Sequence, residues 1–200
     1  MGRLERVVLA SSNAGKLKEF SQLLAGLGIE FVSQASFGVD DADETGRSFV
    51  ENALIKARHA STVTGLPALA DDSGICVDAL EGAPGLYAAR YAGVHGDAAG
   101  NRAKLLRELN GKPANERNAY FIAVIVLLRH ADDPAPIIAE GRWSGRILTA
   151  ERGDGGFGYD PLFLPDGFDQ SAAELDPTLK NSLSHRGVAV AALRDRLATR

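Results

Sequence analysis

The organisation of this chain is set by Val7-Val8-Leu9-Ala10-Ser11-Ser12-Asn13-Ala14-Gly15-Lys16 and by the helical pattern that follows over Leu17–Leu27. The apolar triplet predicts a strand, the small residues predict a turn, and the spaced leucines predict an amphipathic helix capped by Ser12 or Asn13. Backbone amides at a helix N-terminus, with a lysine beside them, make a site for a phosphate group. The turn is not a Walker A loop, because Ala10 replaces its first glycine and Leu17 replaces its hydroxyl residue. Any metal must therefore be held by carboxylates elsewhere.

Composition predicts one soluble domain over residues 1–200, with no need for a second. The net charge of −4 argues against nonspecific nucleic-acid binding, which needs a basic surface. A single cysteine, Cys76, suits a reducing cytoplasm. The first residues lack the apolar core of a signal peptide, and no run approaches the roughly 18 apolar residues of a membrane span. We therefore expect a cytoplasmic protein that associates with neither membrane nor nucleic acid.

The order of helical and extended patterns predicts an α/β fold with a mixed β-sheet flanked by helices. Helices are predicted over Leu17–Leu27, from a Ser48/Glu51 capping box to Thr64, from a cap at Asn101 to Leu109, and over Gly187–Ala198, with a further capping box at Ser171 and Glu174. Strands are predicted over Val7–Leu9, Glu30–Ser33, Leu66–Ala70, Ile75–Val77, Ala119–Leu128, Ile137–Trp143 and Leu162–Leu164. The strands from Ala119 and Ile137 are expected to form an antiparallel pair.

Four clusters of residues have side chains suited to chemistry. They are Ser11–Lys16, Asp71–Gly74, Phe157–Asp160, and Lys180 with His185-Arg186. Each alone has an ordinary structural explanation: a βα connection, a solvated turn, a glycine-rich hairpin and a surface pair. They become informative only as an ordered set.

As an ordered set, these motifs resemble those of the inosine triphosphate pyrophosphatase family. The matching segments are Ser12–Lys16 with Glu19, Ala70–Gly74, Gly82–Gly85, Gly156–Pro161 and Ser184–Arg186, and they extend over nearly the whole chain. The resemblance implies an elongated mixed sheet with two lobes and a nucleotide cleft between them. It also implies a homodimer and a magnesium-dependent enzyme that hydrolyses non-canonical purine nucleoside triphosphates (dITP, ITP and XTP) to the monophosphate and pyrophosphate, removing them from the nucleotide pool.

The same resemblance implies which residues bind the nucleotide. These are Ser11, Ser12, Asn13, Ala14, Gly15, Lys16, Lys56, Ser73, Phe157, Gly158, Tyr159, Asp160, Lys180, His185 and Arg186. The substrate brings about four negative charges to a protein that is itself acidic, and one cation at about 4 Å offers roughly 4 kcal/mol at an effective dielectric constant near 20. Several cations are therefore needed, and the candidates are Lys16, Lys56, Lys180 and Arg186.

Asp72 is the predicted catalytic carboxylate, and its role is open between a general base and a magnesium ligand. A carboxylate bound to magnesium is a poor base, because the cation lowers its proton affinity. In that case a metal-bound water would be the nucleophile, with help from Asp71. Glu44, in an acidic loop, is the second predicted ligand, since magnesium favours one or two carboxylates plus substrate phosphates.

The purine base is expected at the second glycine-rich loop. Phe157 can stack on the base. The less favoured alternative is that Phe157 and Tyr159 are core residues that anchor the loop. His185 and Arg186 can donate to a 6-oxo group, which favours hypoxanthine and xanthine over adenine. Two alternatives remain: a Maf-like nucleotide pyrophosphatase, or a nucleotide-binding regulatory module without turnover.

Overall fold

Six strands form one mixed sheet in the computed structural model, which describes residues 4–199. The strands are β1 (Arg6–Leu9), β2 (Glu30–Ser33), β3 (Ala68–Val77), β4 (Asn118–Leu128), β5 (Ile137–Ile147) and β6 (Phe163–Pro165). Their order across the sheet is β2-β1-β3-β4-β5-β6. The helices are α1 (Ala14–Leu23), α2 (Phe49–Thr64), α3 (Ala98–Glu108), α4 (Pro177–Leu183) and α5 (His185–Ala198). The predicted α/β class with a mixed sheet is confirmed.

Strand direction changes across the sheet. β1 pairs in parallel with β2, with Arg6 opposite Glu30, and in parallel with β3, with Val8 opposite Ala68. β5 and β6 are antiparallel, with Ile147 opposite Phe163. β4 and β5 are neighbours joined by residues 129–136, as expected. A parallel crossover needs about a dozen residues or more, so this short connection fits an antiparallel pair.

The chain divides into two units, and the four boundaries between them fall within β3, β4 and β5 and at the start of α5. The first unit takes Met1–Asp72, Ala123–Gly141 and Arg186–Arg200, and the second takes Ser73–Ile122 and Arg142–His185. In the first unit, alternate strand residues face two separate apolar clusters. Leu9 and Leu69 pack with α1 and α5 on one side, whereas Ala68 and Ala70 pack with α2 on the other. This alternation is the period of two that a strand imposes.

A face of small residues brings α2 close to the sheet. Ala53, Ala57 and Ala60 recur at helical spacing and are fully buried. Because alanine has only a methyl group, the helix axis can approach the strands closely. Asn52 and Lys56, each directly before one of these alanines, are thereby held near β3.

The second unit has its own apolar core. Phe121, Trp143 and Phe163 form its centre, with ring centroids 4.7 Å apart for Phe121–Phe163 and 5.2 Å apart for Trp143–Phe163. Leu105 and Leu109 on α3 pack on the same cluster. No helix in the described part of the chain, residues 4–199, is long and apolar enough to cross a membrane.

The structure corrects several predicted boundaries. The segment from Leu66 to Val77 contains one continuous strand, so the Asp71-Asp72 pair lies within β3 rather than at a strand end. α1 ends at Leu23 instead of Leu27, with Asn13 as its cap. α3 begins after Asp97, whose side chain accepts from Gly100 N–H, so Asn101 is not the cap.

The C-terminal part of the chain is more helical than predicted. α5 begins at His185, two residues before the predicted start at Gly187. The expected Ser171/Glu174 capping box is half formed, because Glu174 Oε2 accepts from Ser171 N–H, but no helix begins there. A short helix, α4, starts at Pro177 with Asp176 as its cap. By contrast, the Ser48/Glu51 box caps α2 as predicted.

A buried guanidinium ties three segments of the second unit together. Arg117 is 3% exposed and donates from Nε to the Ile147 carbonyl, from Nη1 to that of Leu109 and from Nη2 to that of Leu148, each at 2.7 Å. The first of these carbonyls ends β5, and the second ends α3. Replacing the arginine therefore removes three hydrogen bonds, although the Leu109 carbonyl also accepts from Lys112 N–H at 3.1 Å.

Arg117→Met is expected to lower the free energy of unfolding by about 3 kcal/mol or more, because each lost hydrogen bond from a charged donor costs roughly 1.5–3 kcal/mol. The measurement is urea denaturation followed by circular dichroism at constant protein concentration. Lys112→Ala is the control, since Lys112 forms only an exposed i,i+4 pair with Glu116 and should change stability by less than about 1 kcal/mol. Equal stabilities for the two variants would contradict this account.

Candidate active site

The segment between β1 and α1 presents an exposed helix N-terminus. Ser12, Asn13 and Ala14 are exposed, and the Asn13 side chain caps α1 by accepting from Lys16 N–H at 3.0 Å. Ser11 Oγ accepts from Asn13 N–H at 3.2 Å. The segment therefore presents the positive end of a helix to solvent, which favours an anion, while the N–H groups of Asn13 and Lys16 are bonded within the segment.

Behind this segment lies a buried group of four charges within the first unit. Lys16 Nζ lies 2.9 Å from Asp71 Oδ1, and Arg186 Nε lies 3.3 Å from Asp71 Oδ2. Arg186 Nη1 also lies 2.8 Å from Glu19 Oε2. Burial opposes ionisation of Asp71, but Lys16 and Arg186 outweigh it and hold the pKa of that carboxyl far below its usual value. Asp71 is therefore an anion at neutral pH and forms ion pairs with Lys16 and Arg186.

A second charged group surrounds Asp72. Lys56 Nζ lies 2.8 Å from Asp72 Oδ1 and 2.8 Å from Glu44 Oε1. Burial raises the pKa of Asp72, and the attraction of Lys56 only partly offsets that effect. Burial disfavours the Lys56 cation, yet Asp72, Asp71 and Glu44 together raise its pKa. The predicted residues Lys56, Asp72 and Glu44 are thus brought together by the fold.

An asparagine that the sequence analysis did not single out supports Asp72. Asn52 is 2% exposed, donates from Nδ2 to Asp72 Oδ2 at 3.3 Å and accepts from Gly46 N–H at 2.8 Å. A side chain at residue 46 would clash, because its Cβ would lie 2.6 Å from Glu51 Cβ and 2.7 Å from Asn52 Oδ1. Asn52 and Lys56 are four residues apart on α2, so helical spacing was the signal that could have identified Asn52.

The two charged groups of the first unit contain a surplus of carboxylates. Lys16, Lys56 and Arg186 supply three cations, whereas Glu19, Glu44, Asp71 and Asp72 supply four anions. Each cation is therefore already paired. A polyphosphate would meet these lysines beside their carboxylates, so a further positive charge would favour its binding.

The chemistry of the Asp72 group fits a hard divalent cation. Within residues 4–199, no cluster of three or more His, Cys, Asp and Glu side chains is arranged to hold a metal ion. Asp72 and Glu44 nevertheless direct oxygens at one cationic nitrogen, that of Lys56. Oxygen ligands from one or two carboxylates, completed by phosphate oxygens and water, are what magnesium prefers. These two residues would hold the ion.

The glycine-rich loop of the second unit forms a separate cluster. Asp160 Oδ2 accepts from Lys180 Nζ at 2.7 Å and from Phe157 N–H at 2.8 Å. The Lys180 ammonium also lies 5.2 Å from the centroid of the Phe157 ring, and Phe157 is 38% exposed. Lys180 thus accompanies the aromatic loop in the second unit, while Lys16 and Lys56 are placed in the first.

The remaining predicted residues have structural partners. Tyr159 is buried in the core of the second unit, and its hydroxyl donates to the Ala88 carbonyl at 2.9 Å. The Gly158 carbonyl accepts from Arg102 Nη1 at 2.9 Å. His185 stacks on Phe121 with the centroids 4.8 Å apart, and Ser73 follows Asp72 on β3. That Tyr159, His185 and Arg186 contact a nucleotide stays a prediction.

The mixed sheet, the exposed helix N-terminus and the lysine-paired carboxylates define an α/β protein equipped to handle phosphate groups. The model of the Ham1 family matches residues 7–196. A dITP/XTP pyrophosphatase of Xanthomonas oryzae pv. oryzae is 62% identical over 194 residues, covering 97% of this chain and 98% of that relative. A solved HAM1 protein from Coxiella burnetii is 48% identical, has a TM-score of 0.91 and is covered completely, with 98% of this chain aligned.

A second solved structure is also similar to this chain in sequence and fold. The nucleoside-triphosphatase / dITP/XTP pyrophosphatase from Mycobacterium abscessus is 45% identical, has a TM-score of 0.76 and covers 94% of this chain with 98% of its own. This chain belongs to the Ham1 family. It is a pyrophosphatase, which is a hydrolase acting on acid anhydrides. The resemblance to the inosine triphosphate pyrophosphatase family is confirmed.

Proposed function

We propose that this protein hydrolyses the non-canonical purine nucleoside triphosphates dITP, ITP and XTP to the monophosphate and pyrophosphate, and that it requires magnesium. The observation that carries the proposal is the convergence of Asp72 and Glu44 on the Lys56 ammonium, 2.8 Å from each, in the same unit as the exposed N-terminus of α1. The names of the relatives at 62% and 45% identity, both dITP/XTP pyrophosphatases, support the choice of substrate.

In the proposed reaction, the oxygen of a water forms a bond to the α-phosphorus. The bond from that phosphorus to the oxygen bridging to the β-phosphorus breaks, and pyrophosphate leaves with the electron pair. Such a reaction depends on positioning and charge stabilisation. Backbone amides at the N-terminus of α1 and the Lys16 ammonium bind phosphate oxygens, and Lys56 neutralises charge beside Asp72. Asp72 orients the attacking water, whose proton passes to that carboxylate or to solvent.

A bound magnesium ion would supply positive charge to the phosphate oxygens and lower the pKa of a coordinated water. Asp72 and Glu44 would hold it, with substrate phosphates as further ligands. The surplus of carboxylates in the first unit supports this requirement, because the paired lysines and Arg186 leave little net charge for a polyphosphate with about four negative charges.

For the base, we propose that the exposed Phe157 ring stacks on the purine, with its loop held in place by Asp160 and Lys180. Base stacking on an aromatic ring contributes roughly 1–3 kcal/mol and is tolerant of base identity. Discrimination against adenine therefore requires hydrogen-bond donors to the 6-oxo group, and His185 with Arg186 are the candidates. Guanine has the same 6-oxo group, so its rejection requires a steric or hydrogen-bond conflict at its 2-amino group. The homodimer, the cytoplasmic location and the removal of these nucleotides from the pool also stay predictions.

The test is turnover of dITP, XTP, dGTP and dATP at matched concentration, with and without magnesium, followed by anion-exchange separation of the products. We expect dITP and XTP to exceed dGTP and dATP in kcat/KM by on the order of 100-fold. The products should be the monophosphate and pyrophosphate, and chelation should abolish the reaction. Release of orthophosphate, or equal turnover of all four, would contradict the proposal. Binding without turnover would favour the regulatory module. The same assay with dTTP tests the Maf-like alternative, which a preference for that pyrimidine nucleotide would favour.

A further inference from the structure

A carboxylate outside the two charged groups of the first unit contacts the segment between β1 and α1. This segment, residues 11–15, is called the phosphate-binding segment because of its proposed role. Asp41 lies in the stretch between β2 and α2, and its Oδ2 accepts a hydrogen bond from Ser12 Oγ. Its Oδ1 accepts from Gln34 Nε2 at 2.6 Å. The carboxylate therefore joins the segment before α1 to a residue far from it in sequence.

The Gln34 end of this bridge is firmly anchored. Gln34 is 4% exposed and begins a 3-10 helix over Gln34–Phe37. Its carbonyl accepts from Val39 N–H at 3.2 Å, so both its backbone and its side chain are fixed. Asp41 therefore connects the exposed Ser12 to a buried residue whose position is fixed.

The same stretch also carries Glu44. His59 on α2 lies 3.0 Å from the Asp40 carbonyl, and Gly46 N–H donates to Asn52, so the stretch is attached on both sides of Glu44. Asp41 adds an attachment to the segment at the N-terminus of α1. The phosphate-binding segment and the Glu44 stretch are thus joined through one side chain.

The hydroxyl of Ser12 has a single proton, and it is donated to Asp41. A phosphate oxygen is a hydrogen-bond acceptor, so this hydroxyl cannot donate to the phosphate and to Asp41 at once. Direct phosphate binding by Ser12 and bracing by Asp41 are therefore competing uses of one proton. If Ser12 donates to the phosphate, removing Asp41 frees its hydroxyl and should lower KM. If Asp41 instead holds the segment in place through Ser12, removing Asp41 should raise KM.

We propose that Asp41 is a positioning residue, which uses the Ser12 hydroxyl to hold the backbone amides of the segment before α1 in the arrangement that binds phosphate. The Ser12 hydroxyl then donates to Asp41 rather than to the phosphate, and we call this hydrogen bond the brace. This proposal rests on the proposed nucleotide hydrolysis, since it assigns a role in binding that substrate. Because the brace acts on the phosphate site and not on the reacting water, it should affect KM more than kcat.

The experiment measures kcat and KM for dITP in the wild type, Ser12→Ala, Asp41→Ala and the double variant. We expect each single variant to raise KM roughly tenfold with kcat within about twofold, and the double variant to resemble the singles, since both remove one interaction. Asp43→Ala is the matched control, because it removes an exposed charge from the same stretch and should leave KM unchanged. A lower KM in Asp41→Ala, multiplied effects in the double variant, or an equal effect of Asp43→Ala would overturn the brace.

A second measurement does not depend on turnover. Hydrogen–deuterium exchange of the peptide containing residues 10–20 should be faster in Ser12→Ala and Asp41→Ala than in the wild type and Asp43→Ala. Unchanged exchange in both variants would overturn the brace. If the wild type does not hydrolyse dITP, the proposed function fails, while the exchange result still decides whether Asp41 braces this segment.

Discussion

Asp72→Asn is expected to lower kcat for dITP by on the order of 10³-fold while the protein stays folded, a loss typical of removing a catalytic carboxylate. The amide keeps the size of the side chain and can still face Lys56 and Asn52. It loses the negative charge that either role of Asp72 requires. The measurement is steady-state kinetics of pyrophosphate release, with nucleotide binding followed separately by calorimetry.

The control for this prediction is Asp132→Asn, which removes an exposed carboxylate from the turn between β4 and β5. It should retain wild-type kcat and KM. If Asp72→Asn kept kcat within tenfold of the wild type while binding dITP normally, Asp72 would not be the catalytic carboxylate. If Asp72→Asn lost both dITP binding and turnover, the main role of Asp72 would instead be to bind the substrate.

Asp71→Asn is expected to lower the free energy of unfolding by about 3 kcal/mol or more at pH 7, because it leaves buried cations without their shared anion. Lys16 loses its ion-pair partner at 2.9 Å, and Arg186 keeps Glu19 but loses Asp71. Chemical denaturation of wild type and variant at several pH values measures the effect, with Asp132→Asn again as the control.

The pH dependence of this difference follows from the depressed pKa of Asp71. A carboxyl whose pKa is lower in the folded than in the unfolded state stabilises the fold above its unfolded pKa, which is about 3.9. That stability is lost as the pH falls below this value towards the folded pKa. The difference in the free energy of unfolding between the wild type and Asp71→Asn should therefore be constant near neutral pH and become smaller in acid. A difference that grew in acid would contradict the assigned ion pairs.

Local features of the fold were predictable from the sequence. Asn13 caps α1, the Ser48/Glu51 box caps α2, and the apolar run at Ala119 forms β4. In each case the signal lies within a few residues. The course of β3 through Asp71-Asp72-Ser73-Gly74 was not predictable in this way, because these residue types favour turns. Their ion pairs with α1, α2 and α5 override that preference.

The composition of the candidate site was predicted better than its internal arrangement. Lys16 and Asp72 were named from motifs, Lys56 from the family resemblance and Glu44 from its acidic loop, and the structure brings the last three of these together. Sequence could not tell that Lys180 accompanies Phe157, because that depends on how distant segments pack. Nor could it tell which acceptor takes the Ser12 proton, since Asp41 lies 29 residues away.

The passage of β3 through two successive aspartates has a consequence for how this protein can change. Because neighbouring residues on a strand face opposite ways, Asp71 and Asp72 hydrogen-bond to different partners. Asp71 forms ion pairs with Lys16 on α1 and Arg186 on α5, whereas Asp72 is the proposed catalytic carboxylate. Substitution at residue 71 should therefore change mainly the stability of the fold, and substitution at the adjacent residue 72 mainly the proposed catalytic activity.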